Sequence, residues 1–413
     1  MTIALERPAN TAHVAQPASR PAPPKRAARP GRALRILTRI TLGISSLIWL
    51  VGMLALGVSA GPSGFALCLG LAVVPVPVVL AAFRWVDRAE PEPARNLLVA
   101  FLWGATTAGS VSIVLELLLG GQMWITAPII EELAKGSILV LLVLFARSQF
   151  DGVIDGIVYA GFVATGFAFT ENIGYFTNAY TLGLAPAQGA VAVPGQGHTS
   201  DLLMSFVLRG VVLPFSHPLF TIMFGIGVGL AAVSTKRAVR IVAPVVGLAA
   251  AIGLHMVWDY VLLGSHPSQT VLLAYFGLFA MLFFAMIWII SRVRRRELRS
   301  IEQHLQSYAH QGWFAETELP ALSTFKGRRQ ARRWAASVSG TQGKRAIVEI
   351  QHAATKLGLL RSKLASGRSV PDFATRQQAL LVQLAGARTV LALSQSFPAV
   401  GVADNRPPLQ PAA

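Results

Sequence analysis

The sequence predicts an all-α fold, a polytopic membrane helical bundle of about eight transmembrane helices followed by a small cytoplasmic helical C-terminal region. Three observations carry that prediction. Apolar residues make up 53% of the 413 positions and charged residues only 13%. The apolar residues are clustered in runs that approach or exceed the roughly 18 to 20 residues needed to cross a hydrocarbon layer about 30 Å thick. The basic residues behind the formal charge of +17 gather at the ends of those runs and in two polar tails. Clustering of this kind excludes a soluble enzyme, and membrane topology accounts for most of the positive charge without nucleic acid as a partner.

Residues 1–37 are rich in Ala, Pro and Arg and show no apolar period able to bury a core, so they read as a disordered cytoplasmic tail. The first apolar run begins near Thr41 and is already span-length, as expected of an uncleaved anchor rather than a signal peptide. Spans are expected at 38–60, 65–84, 96–119, 125–146, 154–177, 211–234, 239–263 and 269–291. Loop charge tests the count. With Arg32 and Arg35 inside, the inner side also receives Arg84, Arg88, Arg95, Arg147, Lys236, Arg237, Arg240 and the cluster from Arg292 to Arg296. The outer loops at 61–64, 120–123, 178–208 and 264–268 hold no Lys or Arg. An even number of spans, with both termini cytoplasmic, satisfies this asymmetry in a multi-pass cell-membrane protein.

Beyond the last span, residues 292–400 are basic and rich in Ala, Leu and Gln at helical spacing, interrupted at Pro320, at Gly340 to Gly343 and at Pro371, with a short disordered tail at 401–413. The run Lys326, Arg328, Arg329, Arg332, Arg333 and Trp334 reads either as a solvated helix face or as a surface for anionic headgroups. The single cysteine, Cys68, lies in an apolar run and reads as a packing or lipid-facing residue.

Charged residues inside spans cost roughly 2.5 to 3.5 kcal/mol each on insertion scales, so each calls for a reason. The fourth span opens with Glu131, Glu132 and Lys135, in which Glu131 and Lys135 share a face and Glu132 points about 100° away. The fifth span holds Phe167, Glu171 and Asn172; the sixth opens with Arg209, Pro214, Ser216 and His217; the seventh carries His255, Trp258 and Asp259. Counted from the expected outer ends, Glu131, Glu171, His217 and His255 all lie roughly 9 to 12 Å deep at 1.5 Å per residue. Four segments deliver ionisable groups to one layer, which isolated structural polar residues have no reason to do.

Such a layer suits water activation: a carboxylate takes a proton from water, an imidazole positions the water or a metal, and other donors stabilise an oxyanion. A zinc site with an open position would draw on His217, His255 and Glu171, although no H-E-x-x-H helix is present, so metal-bound and metal-free versions both stay open. Singly, each residue has a plainer reading. Lys135 neutralises the Glu pair, His217 and His255 bridge helices, Asp151 and Asp155 cap the fifth span, and Tyr159 and Trp258 pack.

With these residues in view the chain resembles the PrsW family of intramembrane proteases. The resemblance runs from Glu92-Pro93 through Glu131-Glu132-x-x-Lys135, Asp155-Gly156-Ile157-Val158-Tyr159, Gly166-Phe167 with Glu171-Asn172, Arg209 with Pro214 and His217, and His255 with Asp259, covering about residues 85 to 290. The family is distantly similar to the type II CAAX prenyl endopeptidases. The resemblance implies a protease acting on membrane-spanning protein substrates, such as the first cut of an anti-sigma factor on the extracytoplasmic side. It implies that Glu131, Glu132 and His255 are catalytic, that Glu171 and His217 belong to the site with Lys135 and Asp259 beside them, and that the mechanism is either zinc- or glutamate-dependent. A proton-coupled transporter or channel is the rival, since buried Glu, Asp and His also build proton relays; a scaffold that works through its basic tail is a third reading.

Overall fold

The computed structural model describes residues 32–145, 150, 152–184, 198–263, 274–368 and 370–391. The expectations for most of the N-terminal tail, for Arg147 and Asp151, for much of the 178–208 loop, for the 264–268 loop and for the final tail fall outside those residues. Among them the chain is helical with no strand.

The first helix, α1 (Arg32–Val73), breaks at Gly61, whose φ of 72° and ψ of 162° suit only a residue without Cβ. The ring of Phe65 lies 3.7 Å from where a Cβ on Gly57 would sit. Residues eight apart in continuous helix are separated by about 12 Å, so the chain folds back on itself here. α2 (Pro75–Val86) continues the returning arm after a turn at Val74. α3 (Ala94–Leu102) and α4 (Gly109–Leu119) are one path joined by a π-helical segment, Trp103–Ala108. α5 (Met123–Phe145) carries the Glu pair, and α6 (Val153–Leu184) follows.

α7 (His198–Phe206) leads through π-helical Val207–Val212 to a break at residues 213–215, after which α8 (Ser216–Val233) begins. The expected sixth span is therefore a broken helix, and His217 sits in the first turn of its second half. α9 (Arg237–Leu263) follows, and α10 (Ala280–Ala309) continues a π-helical start at Ala274–Phe279. Among the described residues six stretches are long and apolar enough to cross a membrane: 36–86, 94–119, 153–182, 201–233, 237–261 and 277–309. The first of these is the folded-back pair, and α5 stands apart from the six because three charged side chains interrupt it.

α6 is the hub. Its apolar window is 83% buried, against 17% for those of α9 and α10. Backbone contact makes this possible: a Cβ on Gly156 would strike Gly225 O of α8 and one on Gly225 would strike Gly156 O. Small residues let membrane helices approach closely where lipid supplies no hydrophobic drive between them. Cys68 is fully buried among Ala72, Ile173, Phe176 and Leu202, so it packs rather than faces lipid.

α10 runs without interruption from its apolar half into the C-terminal helices, so the expected boundary near residue 291 lies inside a continuous helix. α11 (Leu319–Ser323), α12 (Phe325–Ala365) and α13 (Phe373–Val390) then build a second apolar core with Ile301, Leu305, Leu322, Ile347, Ile350 and Leu357 fully buried or nearly so. α12 turns back at Gly340 (φ 60°, ψ −142°), where the sequence marks a break. Two arginines tie this core to the membrane bundle: Arg328 Nη1 donates to Ala89 O at 2.8 Å, and Arg368 Nη1 to Ala232 O at 3.4 Å. Both acceptors lie at or just beyond helix C-termini, where carbonyls lack helical partners.

Candidate active site

Pro128 lies inside α5, about one turn before Glu131, where it removes one helical hydrogen bond, and the helix then carries its three charges inward. Glu132 and Lys135 are fully buried, Glu131 is 6% exposed, His217 3% and His255 1%. Groups this deep are stable only if they satisfy one another. They do so through Lys135, whose Nζ donates to Glu131 Oε2 at 3.0 Å and to Glu132 Oε1 at 2.9 Å, lies 3.3 Å from His217 Nδ1 and sits 3.8 Å from the centre of the Phe167 ring. Lys135 thus bridges α5, α6 and α8, which is more than neutralising its own pair.

Glu132 is saturated. Besides Lys135 it meets His255 Nδ1 at 3.1 Å, and its Oε2 accepts from Thr221 Oγ1 at 2.8 Å. A carboxylate at Nδ1 fixes the proton there, which leaves His255 Nε2 as the basic nitrogen. That nitrogen faces Glu131 Oε2 at 3.7 Å and Asp259 Oδ1 at 3.8 Å. The imidazole is held flat against Phe220, with ring centroids 4.9 Å apart, and edge-on to His217 at 5.1 Å.

His217 is oriented in the opposite sense. Its Nδ1 faces the Lys135 ammonium and so accepts, while Nε2 lies 2.5 Å from Glu171 Oε2. Neither of those last two atoms has a partner of directed hydrogen-bond geometry, so the contact is electrostatic. Glu171 also pairs with Arg209 Nη2 at 2.6 Å, and Arg209 in turn donates from Nε to Asn172 Oδ1 at 3.0 Å and stacks on Tyr175 at 3.7 Å.

The seven residues singled out in the sequence, Glu131, Glu132, Lys135, Glu171, His217, His255 and Asp259, therefore occupy one connected cluster drawn from α5, α6, α8 and α9. Glu92, Asp155 and Tyr159 do not join it. Tyr159 donates to Glu92 Oε2 at 2.7 Å, about 18 Å along α6 from Glu171, and Asp155 accepts from the backbone N–H of Gly152 at 3.1 Å. Thr221 and Phe220 were missed. Thr221 stands one helical turn after His217 and Phe220 three residues after it, so the spacing that groups His255 with Asp259 also points to them.

The group whose geometry could hold a metal differs in one member from the expected set. Glu131, rather than Glu171, stands with His217 and His255, each offering a ligand atom within 4.8 Å of the others. Arg209 holds Glu171 on the far side of His217. Two imidazoles and a carboxylate are the donor chemistry of a catalytic zinc site, so the residues fit such an ion. The Lys135 ammonium contacts two of the three donors and would have to give way. Beside His217 a small cleft opens between α2, α6, α8 and α9, lined by Pro75, Val79, Asn172, Arg209, Leu213 and Trp258 among others.

The fold and this cluster define a multi-pass membrane protein with a buried centre of acidic, imidazole and ammonium groups. Residues 92–290, which contain every member of the cluster, match the family described as PrsW family intramembrane metalloprotease. That match supports assignment of the chain to this family, and with it to the membrane proteases. It is similar to Protease PrsW of Geobacillus kaustophilus (strain HTA426), with 25% identity over 173 residues that cover 40% of this chain and 67% of the relative. No solved structure matches.

Proposed function

We propose that the chain is an intramembrane endopeptidase that hydrolyses peptide bonds of membrane-spanning proteins near the extracytoplasmic face, with eight crossings and both termini in the cytoplasm. Eight crossings follow if α1 counts as two arms and α5 as a span. The observation that carries the activity is the chain from Glu132 through the His255 ring to Glu131, because it sets the other nitrogen of an oriented imidazole 3.7 Å from a second carboxylate.

In this reading Glu132 is the orienting group, since Lys135, Thr221 and His255 already occupy its oxygens. Glu131 is the base. A water held between its carboxylate and His255 Nε2 gives its proton to Glu131 as its oxygen bonds to the substrate carbonyl carbon. The Lys135 ammonium lies beside the same space and offers positive charge to the developing oxyanion. Glu131 then passes the proton to the amine nitrogen as the C–N bond breaks. If zinc is the cofactor, Glu131, His217 and His255 would hold it, and it would supply polarisation of water and carbonyl.

The substrate must present an unwound segment, because a helix hides its peptide bonds. The cleft beside His217, and the break at 213–215 that leaves backbone groups without helical partners, support entry there. A single-span anti-sigma factor cut at its external juxtamembrane segment is the substrate class proposed. Co-expression of a tagged single-span reporter tests this: Glu131→Gln and His255→Ala should abolish cleavage while inserting normally. Cleavage that persists in both variants would remove the cluster from the reaction, and proton flux in vesicles without hydrolysis would favour a transporter.

A further inference from the structure

Outside the membrane cluster a second gathering of charge lies at the seam between the membrane bundle and the C-terminal helices. Trp85 and Arg88 come from the end of α2 and the residues after it, Arg294 from α10, and Phe325, Arg329 and Arg332 from the first turns of α12. The Arg88 guanidinium carbon stands 4.8 Å from the Trp85 ring centre and 4.0 Å from that of Phe325; for Arg294 the distances are 4.3 and 4.4 Å. Two like charges share two rings, with Arg329 and Arg332 close enough to act on Arg88 as well.

Aromatic faces satisfy the π surface of a guanidinium but not its N–H groups. Arg294 is only 5% exposed, and its Nε and Nη2 have no acceptor; nor has Nε of Arg88. Buried donors of this kind ordinarily find one. The carboxylates in range of Arg294 are Asp87 and Glu297. Asp87 turns an oxygen to the backbone N–H of Glu92 at 2.6 Å, and burial lifts its carboxyl to about 7, so it is a weak counter-ion. Glu297 is a single charge against four arginines.

We propose that this seam is a binding site for a phosphate-class anion, taken from an anionic lipid headgroup, with Arg88 and Arg294 as its ligands and Arg329 at its mouth. Trp85, 54% exposed at the end of an apolar helix, is placed as an interfacial anchor beside it. A phosphate offers the several acceptor oxygens that the unpartnered N–H groups require, and arginine forks match its geometry. The N-terminus of α12 at Phe325 adds the positive end of a long helix. Bound there, one anion links α2, α10 and α12 and so fastens the C-terminal helices to the bundle. The inference does not depend on hydrolysis.

The test uses the full chain in neutral detergent, titrated with phosphatidylglycerol, phosphatidylcholine or inorganic phosphate, and reads the thermal unfolding midpoint and the lipid retained in native mass spectra. Phosphatidylglycerol should be retained and should raise the midpoint by several degrees, phosphatidylcholine should do neither, and Arg88→Gln should cut the shift at least in half. A shift produced equally by inorganic phosphate supports the site and makes a free anion its source. Because Arg294→Gln risks misfolding, Arg88→Gln, at a half-buried position, and Arg329→Gln, at an exposed one, carry the decision. Equal response of these variants and the parent chain to every lipid would overturn the proposal.

Discussion

The membrane bundle and the C-terminal helices both bury charge, and they do it in different ways. In the C-terminal region the fully formed hydrogen bonds of Arg328 run to Leu322 O, to Ala89 O and to Thr355, and Gln351, which is wholly buried, donates to Ala321 O and Arg328 O. Those acceptors are backbone carbonyls and a hydroxyl, groups that hold their protons or have none. In the bundle Lys135, Glu131, Glu132, His217 and His255 satisfy one another, and Thr221 is the one hydroxyl among their partners. A charge anchored on carbonyls can only hold structure together. Carboxylates and imidazoles that share protons can also move them, which separates a chemical centre from a staple.

If that distinction is right, substitutions in the two regions should separate activity from stability. The largest effect belongs to Glu131→Gln, expected to lower the cleavage rate by about 10²-fold or more with little change in unfolding temperature, as measured on a purified single-span substrate. Next comes Lys135→Met, which leaves two buried carboxylates without their cation and should cost about 3–5 kcal/mol; thermal unfolding in detergent checks it, and an unchanged midpoint would mean that one carboxyl is already neutral. Arg328→Leu strands the carbonyls of Leu322 and Ala89, each worth about 1–3 kcal/mol, and should speed hydrogen exchange across residues 325–365 while the bundle keeps its protection.

The smallest effect is a pH dependence. Burial, with Arg328, Arg332 and Lys356 nearby, lowers His352 to about 4 from an ordinary 6.5. Below 6.5 the unfolded state takes up a proton that the folded one refuses until about 4, so the stability of the C-terminal helices should fall as pH drops through that window and stay level above it. His352→Gln should flatten the fall, read by hydrogen exchange at pH 5 and 7.

The sequence made the site more legible than the architecture around it. Glu131 and Lys135, or His255 and Asp259, announce themselves because an ionisable group within an apolar run has so few innocent explanations, and helix periodicity puts each pair on one face. The break before His217 was harder to see. Pro214 marks it, but apolar residues on both sides of it read as one span, and the π-helical turn at Val207–Val212 leaves no compositional trace. The roles of Glu171 and Glu131 were likewise unreadable, since it is Arg209, on a different helix, that claims Glu171. Spacing along a helix fixes its face, not which neighbour claims a side chain there. Similarly, α10 passes unbroken from the bundle into the C-terminal core because a change in polarity at Arg292 alters what surrounds a helix without ending it.

The central claim is that the buried cluster activates water against a peptide bond, and oxygen-isotope labelling tests it most directly. A synthetic single-span substrate is digested by the reconstituted protein in water enriched in oxygen-18, and the product fragments are weighed. The account predicts one heavy oxygen at each newly formed carboxyl terminus, with no product at all from Glu131→Gln or His255→Ala. Labelled product formed at the parent rate by both variants would show that the water is activated elsewhere.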